Sequence, residues 1–147
     1  MIHIEPHPDF SQIALLEHAA HETLEGQSIS DGDVTIVLSD DKQLHKLNRE
    51  YLGFDAPTDV LSFPASESDP ETGARYLGDI IISVERARSK AEAAAHPLQS
   101  ELQLLVVHGV LHLLGYDHAE ADEKTRMWAA QAKILERLGL SGMKINE

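Results

Sequence analysis

The segment between Pro97 and Gly115 limits most strongly how this chain can fold. Leu102, Leu104, Leu105, Val106, Val107, Val110, Leu111, Leu113 and Leu114 fall on every side of a helical wheel, leaving no polar stripe to face water. A helix of this kind has to be covered by other elements all round. Pro97 opens it and Gly115 ends it. The run from Leu102 to Tyr116 is too short for a bilayer and is interrupted by Gln103, His108 and His112, so it does not read as a membrane span. The chain must supply the cover itself. Its 147 residues suit one domain over 1–147 that buries roughly two thirds of its unfolded surface.

The covering elements are visible as changes of period. Residues 2–4 read as a short strand. Pro8 and Asp9 open a helix that turns Phe10, Ile13, Leu16, Ala20 and Leu24 inward and stops at Gly26. Val34, Ile36 and Leu38 alternate as in a strand. Asp40 with Gln43 gives a capping box for a helix that turns Leu44, Leu47 and Tyr51 inward and ends at Gly53. Residues 59–63 form a β-rich run closed by Pro64, and residues 64–75 read as a loop or hairpin tip. A strand over 78–83 and helices over 84–95, 97–114 and 121–138 complete the pattern. The expectation is an α+β domain with a small central mixed sheet of about four strands and about five helices.

Within the buried helix, His108 and His112 are four residues apart, about 40° around the axis, so both imidazoles can reach one ion. A continued helix would carry His118 about 240° away from His112, and Gly115 breaks the helix before that happens. The spacing thus describes a three-histidine metal site at the end of a buried helix. Without cysteine, any transition metal is held by nitrogen and oxygen, and three neutral imidazoles leave a fourth position open to water. Such an ion acts as a Lewis acid. Zinc is the expected ion, another borderline divalent metal being an alternative. Affinity is expected to fall below about pH 6.5, where imidazoles protonate. His3, His7, His18, His21, His45 and His96 show no comparable spacing and read as surface residues.

The spacing matches that of metzincin proteases except at one position. Those enzymes carry a Glu general base directly after the first histidine, where this chain has Gly109. Peptide hydrolysis loses its proton acceptor. RNA brings its own nucleophile in the 2′-OH, so phosphodiester chemistry is favoured. No side chain can be named as the general base.

Three blocks, HGVLHLLGYDH at 108–118, APTDVLSFP at 56–64 and LGDI at 77–80, resemble in kind and order the YbeY family of bacterial endoribonucleases. The likeness runs from about Val34 through the last helix. It implies a small α+β domain with one metal, usually zinc, on the histidines matching His108, His112 and His118. It also implies cleavage of single-stranded RNA, a part in 16S rRNA 3′-end maturation and ribosome quality control, and ribosomal subunits as partners. Many members carry an Arg after the aromatic residue upstream of the Pro-Thr block. Here Leu52 follows Tyr51, and Arg49, one turn earlier, is the candidate substitute for a phosphate contact. Two alternatives stand beside this reading: a metzincin-like metalloprotease, and a ribosome assembly factor with a mainly structural metal site.

The charge distribution fits RNA only locally. Residues 1–41 carry nine carboxylates and no Lys or Arg, and the whole chain has a net charge of −13, which opposes non-specific polyanion binding. Lys42, Lys46 and Arg49 make a basic stripe, and Arg86, Arg88 and Lys90 a second cluster, with Arg88 able to pair with Glu92. Both are read as solvated faces. Asp59 and Asp79 either orient a ligand or serve structure, with structure favoured, and Asp117 is read as shaping its turn. Tyr51, Phe54 and Phe63 are read as core. With no basic or apolar leader in residues 1–10, the expected setting is cytoplasmic, without membrane or DNA partners.

Overall fold

A computed structural model describes the chain except for residues 69, 72–74 and 144–147, and the side chains of 66–68. Four strands form one mixed sheet in the order β1 (Ile2–Glu5), β2 (Gly32–Ser39), β4 (Arg75–Ser83), β3 (Val60–Ser68). β1, β2 and β4 run parallel, and β3 returns antiparallel along β4. The helices are α1 (Ile13–Gly26), α2 (Asp41–Leu47), α3 (Val84–Ala94), α4 (Leu98–Leu113) and α5 (Ala121–Arg137).

Alternation along the strands divides the core between the two faces of the sheet. Val34, Ile36, Leu38, Ile80 and Ile82 join the larger core with α4, while Ile81, Leu61 and Val37 meet Leu44 of α2 on the other face. α4 is buried without a break from Ser100 to Leu111, with α1, α3, α5 and the sheet packed around it. Gly109 lies tight against the sheet, for a Cβ there would lie 2.9 Å from Ile80 Cγ2. A Glu at that point would have to push the Ile80 side chain aside. Among the described residues no helix is long and apolar enough to cross a membrane.

Several boundaries differ from the expectation. α1 begins at Ile13 rather than near Pro8, because residues 7–10 close a tight turn in which Phe10 N–H donates to the His7 carbonyl. Phe10 is nonetheless buried. β3 continues past Pro64 to Ser68, with a register shift between Pro64 and Glu67. Proline is tolerated there because β3 is an edge strand, where a missing donor need not break a ladder. Residues 64–68 of the segment expected as a loop or hairpin tip are therefore strand, and residues 69 and 72–74 of it lie outside the described residues.

Asp40 does cap α2, accepting from Gln43 N–H at 2.8 Å. The chain then widens into a single π turn, Asn48–Leu52, closed where Gly53 N–H reaches back to the Asn48 carbonyl. The wider turn breaks the 3.6-residue period. Tyr51 accordingly points outward, 68% exposed, in contrast to the inward position expected, and Phe54 is 65% exposed. Only Phe63 of the three aromatics packs as core. Asn48 donates to the Ala56 carbonyl at 2.9 Å, pinning the loop that leads into β3.

Candidate metal centre

The end of α4 decides the site. Gly115 adopts φ +102°, Tyr116 N–H donates to the Leu111 carbonyl and Gly115 N–H to that of His112, which is a Schellman closure. The reversal carries His118 back over α4. The three imidazoles offer ligand nitrogens that all lie within 4.8 Å of one another. Tyr116 also ties the reversal to α1, its hydroxyl donating to Gln27 Oε1 at 2.8 Å.

Hydrogen bonds fix the tautomers. His108 Nδ1 lies 3.1 Å from Gln131 Oε1, and His112 Nδ1 lies 2.9 Å from the Tyr116 carbonyl oxygen. Both partners are acceptors, so each Nδ1 carries the proton and each Nε2 presents a lone pair. Those two Nε2 atoms are 3.1 Å apart. Two nitrogen ligands of a tetrahedral zinc, with bonds of roughly 2.0–2.1 Å, stand about 3.3 Å apart, so the donor set fits such an ion. Trp128 of α5 stands edge-on to His108 and His118, with ring centroids at 5.9 and 5.5 Å, and limits how either ring can turn.

Burial shapes the titration of the pair. Desolvation, reinforced by the neighbouring His112, pushes His108 down to about 4, and desolvation with the nearby His118 also lowers His112. Protonation of these two imidazoles therefore begins below the expected pH of about 6.5.

The trio opens into a cleft of about 870 Å³. One wall is the outer edge of β3, from Val60 to Pro64, preceded by Thr58 and Asp59; the other is the 115–118 reversal, and Leu52 and Lys90 stand at its sides. Arg49 is exposed on the π turn and is not among the described residues lining this cleft. Lys42 and Lys46 are likewise exposed.

Asp79 does not approach the histidines. It alternates with Ile80, which faces α4, so its carboxylate lies on the other side of the sheet and accepts from the Tyr76 hydroxyl. Asp117 accepts from the His118 N–H at 2.7 Å, as a turn-shaping residue does. The cluster on α3 is not simply solvated. Arg86 grips Asp41 through two bonds of 2.8 and 2.9 Å, Lys90 meets Asp59 at 2.7 Å, and Arg88 reaches the Asp9 carbonyl rather than Glu92. Of the other histidines, His3, His18 and His21 are exposed as expected. His7, His45 and His96 are half-buried, the last two against Asp55 and Glu101.

Gln131 and Trp128 were not foreseen. Their one signal is position: Gln131 lies four residues after the buried Met127 and three before Ile134, and Trp128 lies three before Gln131 on α5.

The fold and the trio together define a class: a small α+β protein whose clustered histidines can hold a metal ion at the floor of an open cleft. Comparison with known proteins narrows it. The family model described as Endoribonuclease YbeY matches residues 5–139. Similar proteins bearing that name include one from Heliobacterium modesticaldum, 42% identical over 92% of this chain and 88% of its own length. Another, from Bacillus licheniformis, is 46% identical over 86% of this chain and 83% of its own. The solution structure of TM1509 from Thermotoga maritima superposes with a TM-score of 0.64 and 31% identity, covering 94% of this chain and 89% of that one. The chain belongs to the YbeY family.

Proposed function

We propose that this protein is a metal-dependent endoribonuclease that cuts single-stranded RNA, with His108, His112 and His118 as the ligands of one divalent ion, zinc in the first instance. The observation that carries the reading is the pair of Nε2 lone pairs 3.1 Å apart, locked by Gln131 and Tyr116 at the floor of a cleft. Family membership supplies RNA as the substrate class.

A bound divalent ion supplies Lewis-acid stabilisation of charge developing on the phosphoryl oxygens. The protein's share is to hold the ligands without reorganisation and to give an extended strand access along β3. Gly109 occupies the place of the metzincin carboxylate, and its contact with Ile80 leaves no room for one, so the protease alternative is not favoured. The assembly-factor alternative is not favoured either, since the named relatives are endoribonucleases. The finer assignment is maturation of 16S rRNA 3′ ends and ribosome quality control on ribosomal subunits in the cytoplasm, which rests on the family resemblance. Arg49 is not adopted as the phosphate contact, because its exposed position keeps it out of the cleft lining.

The test compares a labelled single-stranded RNA with its all-deoxy counterpart, using metal-loaded protein, chelator-stripped protein and the His112→Ala variant. Cutting of RNA alone, lost on stripping and in the variant, is the expected result. Undiminished cutting by the stripped protein would overturn the proposal.

A further inference from the structure

A polyanionic substrate approaching a protein of net charge −13 needs a local cation, and the cleft offers little choice. Besides the Tyr116 phenol, its charged and ionisable lining among the described residues consists of Asp59, Lys90, His108, His112, Asp117 and His118. Lys90 is the one Lys or Arg among the described lining residues. Arg86, one turn earlier on α3, is already held by both oxygens of Asp41.

We propose that Lys90, steered by Asp59, is the residue that binds the substrate phosphate next to the three-histidine site. This rests on the RNA-cleaving reading given above. Asp59 lines the cleft immediately before β3, its side chain only 12% exposed, and it holds the Lys90 ammonium at 2.7 Å. Its backbone is fixed as well, the carbonyl accepting from Ser83 N–H at 2.9 Å. An ammonium has three donors, and Asp59 takes one. The other two can serve phosphate oxygens without releasing the carboxylate. Asp59 is thus a positioning residue, and Lys90 the substrate-binding one. The arrangement also explains how a basic residue that looks solvated on α3 comes to lie beside histidines on α4.

The experiment measures binding of a labelled 2′-O-methyl single strand by fluorescence anisotropy over a range of salt, with cleavage of the matching RNA followed in parallel. Lys90→Gln keeps a donor for Asp59 while removing the charge. It should bind about 5–10-fold more weakly at low salt, with the slope of log K against log salt reduced by about 0.7, the value for one contact to a single strand. Lys90→Arg should stay within about two-fold of the parent protein. Asp59→Asn loosens Lys90 but keeps its charge, so it should weaken binding less than Lys90→Gln does and retain the parent salt slope. An equal loss with the same reduced slope would mean that the pair is only a structural strut, overturning the proposal. The double variant Asp59→Asn/Lys90→Gln leaves no buried charge unpaired and should reproduce the Lys90→Gln loss. Cleavage by the parent protein with an unchanged salt slope in Lys90→Gln would overturn the role of Lys90 and leave the RNA reading standing. A parent protein that neither binds nor cuts would overturn both.

Discussion

Gln131 decides more about the metal centre than its neutral side chain suggests. Its amide oxygen holds the Nδ1 proton of His108, and so directs the lone pair of Nε2 toward His112. Gln131→Leu keeps the bulk and removes the acceptor. Metal affinity, measured by competition with a chromogenic chelator, should fall about 10–100-fold, the usual cost of losing a partner behind a ligand. Unchanged affinity would show that the ring is held by packing against Trp128 alone. The same burial makes His108 a pH-dependent liability in metal-free protein. Its folded value of about 4 lies below the ordinary 6.5, so between those limits the unfolded chain binds more protons, and stability must drop as pH falls. From pH 7.5 to pH 5 the loss should be about 2 kcal/mol, read from urea unfolding of stripped protein. A flat profile over that range would refute the buried, neutral assignment. His108 and His112 were legible in sequence because their partnership is local to one helix. Gln131 was not, since it meets His108 only through the packing of two helices 23 residues apart.

At the scale of elements, what local chemistry decides was readable and what a distant partner decides was not. Pro97, Gly115 and Asp40 mark helix ends through their own backbone or side chain, and the structure has helix ends at all three. Tyr51 faces outward, against the helical period of its segment, because the turn there is wider. The strand order, with β4 between β2 and β3, depends on pairings across the chain that no local pattern specifies. The pairing of Lys90 is hidden from local pattern for the same reason, its partner Asp59 lying 31 residues away. Gly115 allows a sharper test of the local rule. At φ +102° there is open space for a Cβ but no comfortable backbone conformation for alanine. Gly115→Ala should cost about 1–2 kcal/mol in stability and also weaken metal binding, since His118 hangs on that reversal. Loss of stability with metal affinity intact would mean that His118 is not a ligand.

On the scale of the whole molecule, the question is whether the metal builds the fold or only occupies it. In small zinc domains the ion replaces a core. Here the core is already present: α4 is enclosed by α1, α3, α5 and the sheet, and among the described residues no buried side-chain polar atom lacks a hydrogen-bond partner. Even His108 and His112 have hydrogen bonds that do not involve a metal. Stripping with a chelator should therefore leave far-UV circular dichroism unchanged and a cooperative melt in place. The metal's contribution should appear only as linkage. At a free concentration of about 1,000 times Kd it adds about 4 kcal/mol, equivalent to roughly 10–15 °C in Tm for a chain of this length. The shift should grow logarithmically with added metal, because it arises from mass action on a preformed site. A stripped protein that loses its helical signal would place the ion inside the folding reaction, and the three histidines would then be a structural centre rather than the floor of an active cleft.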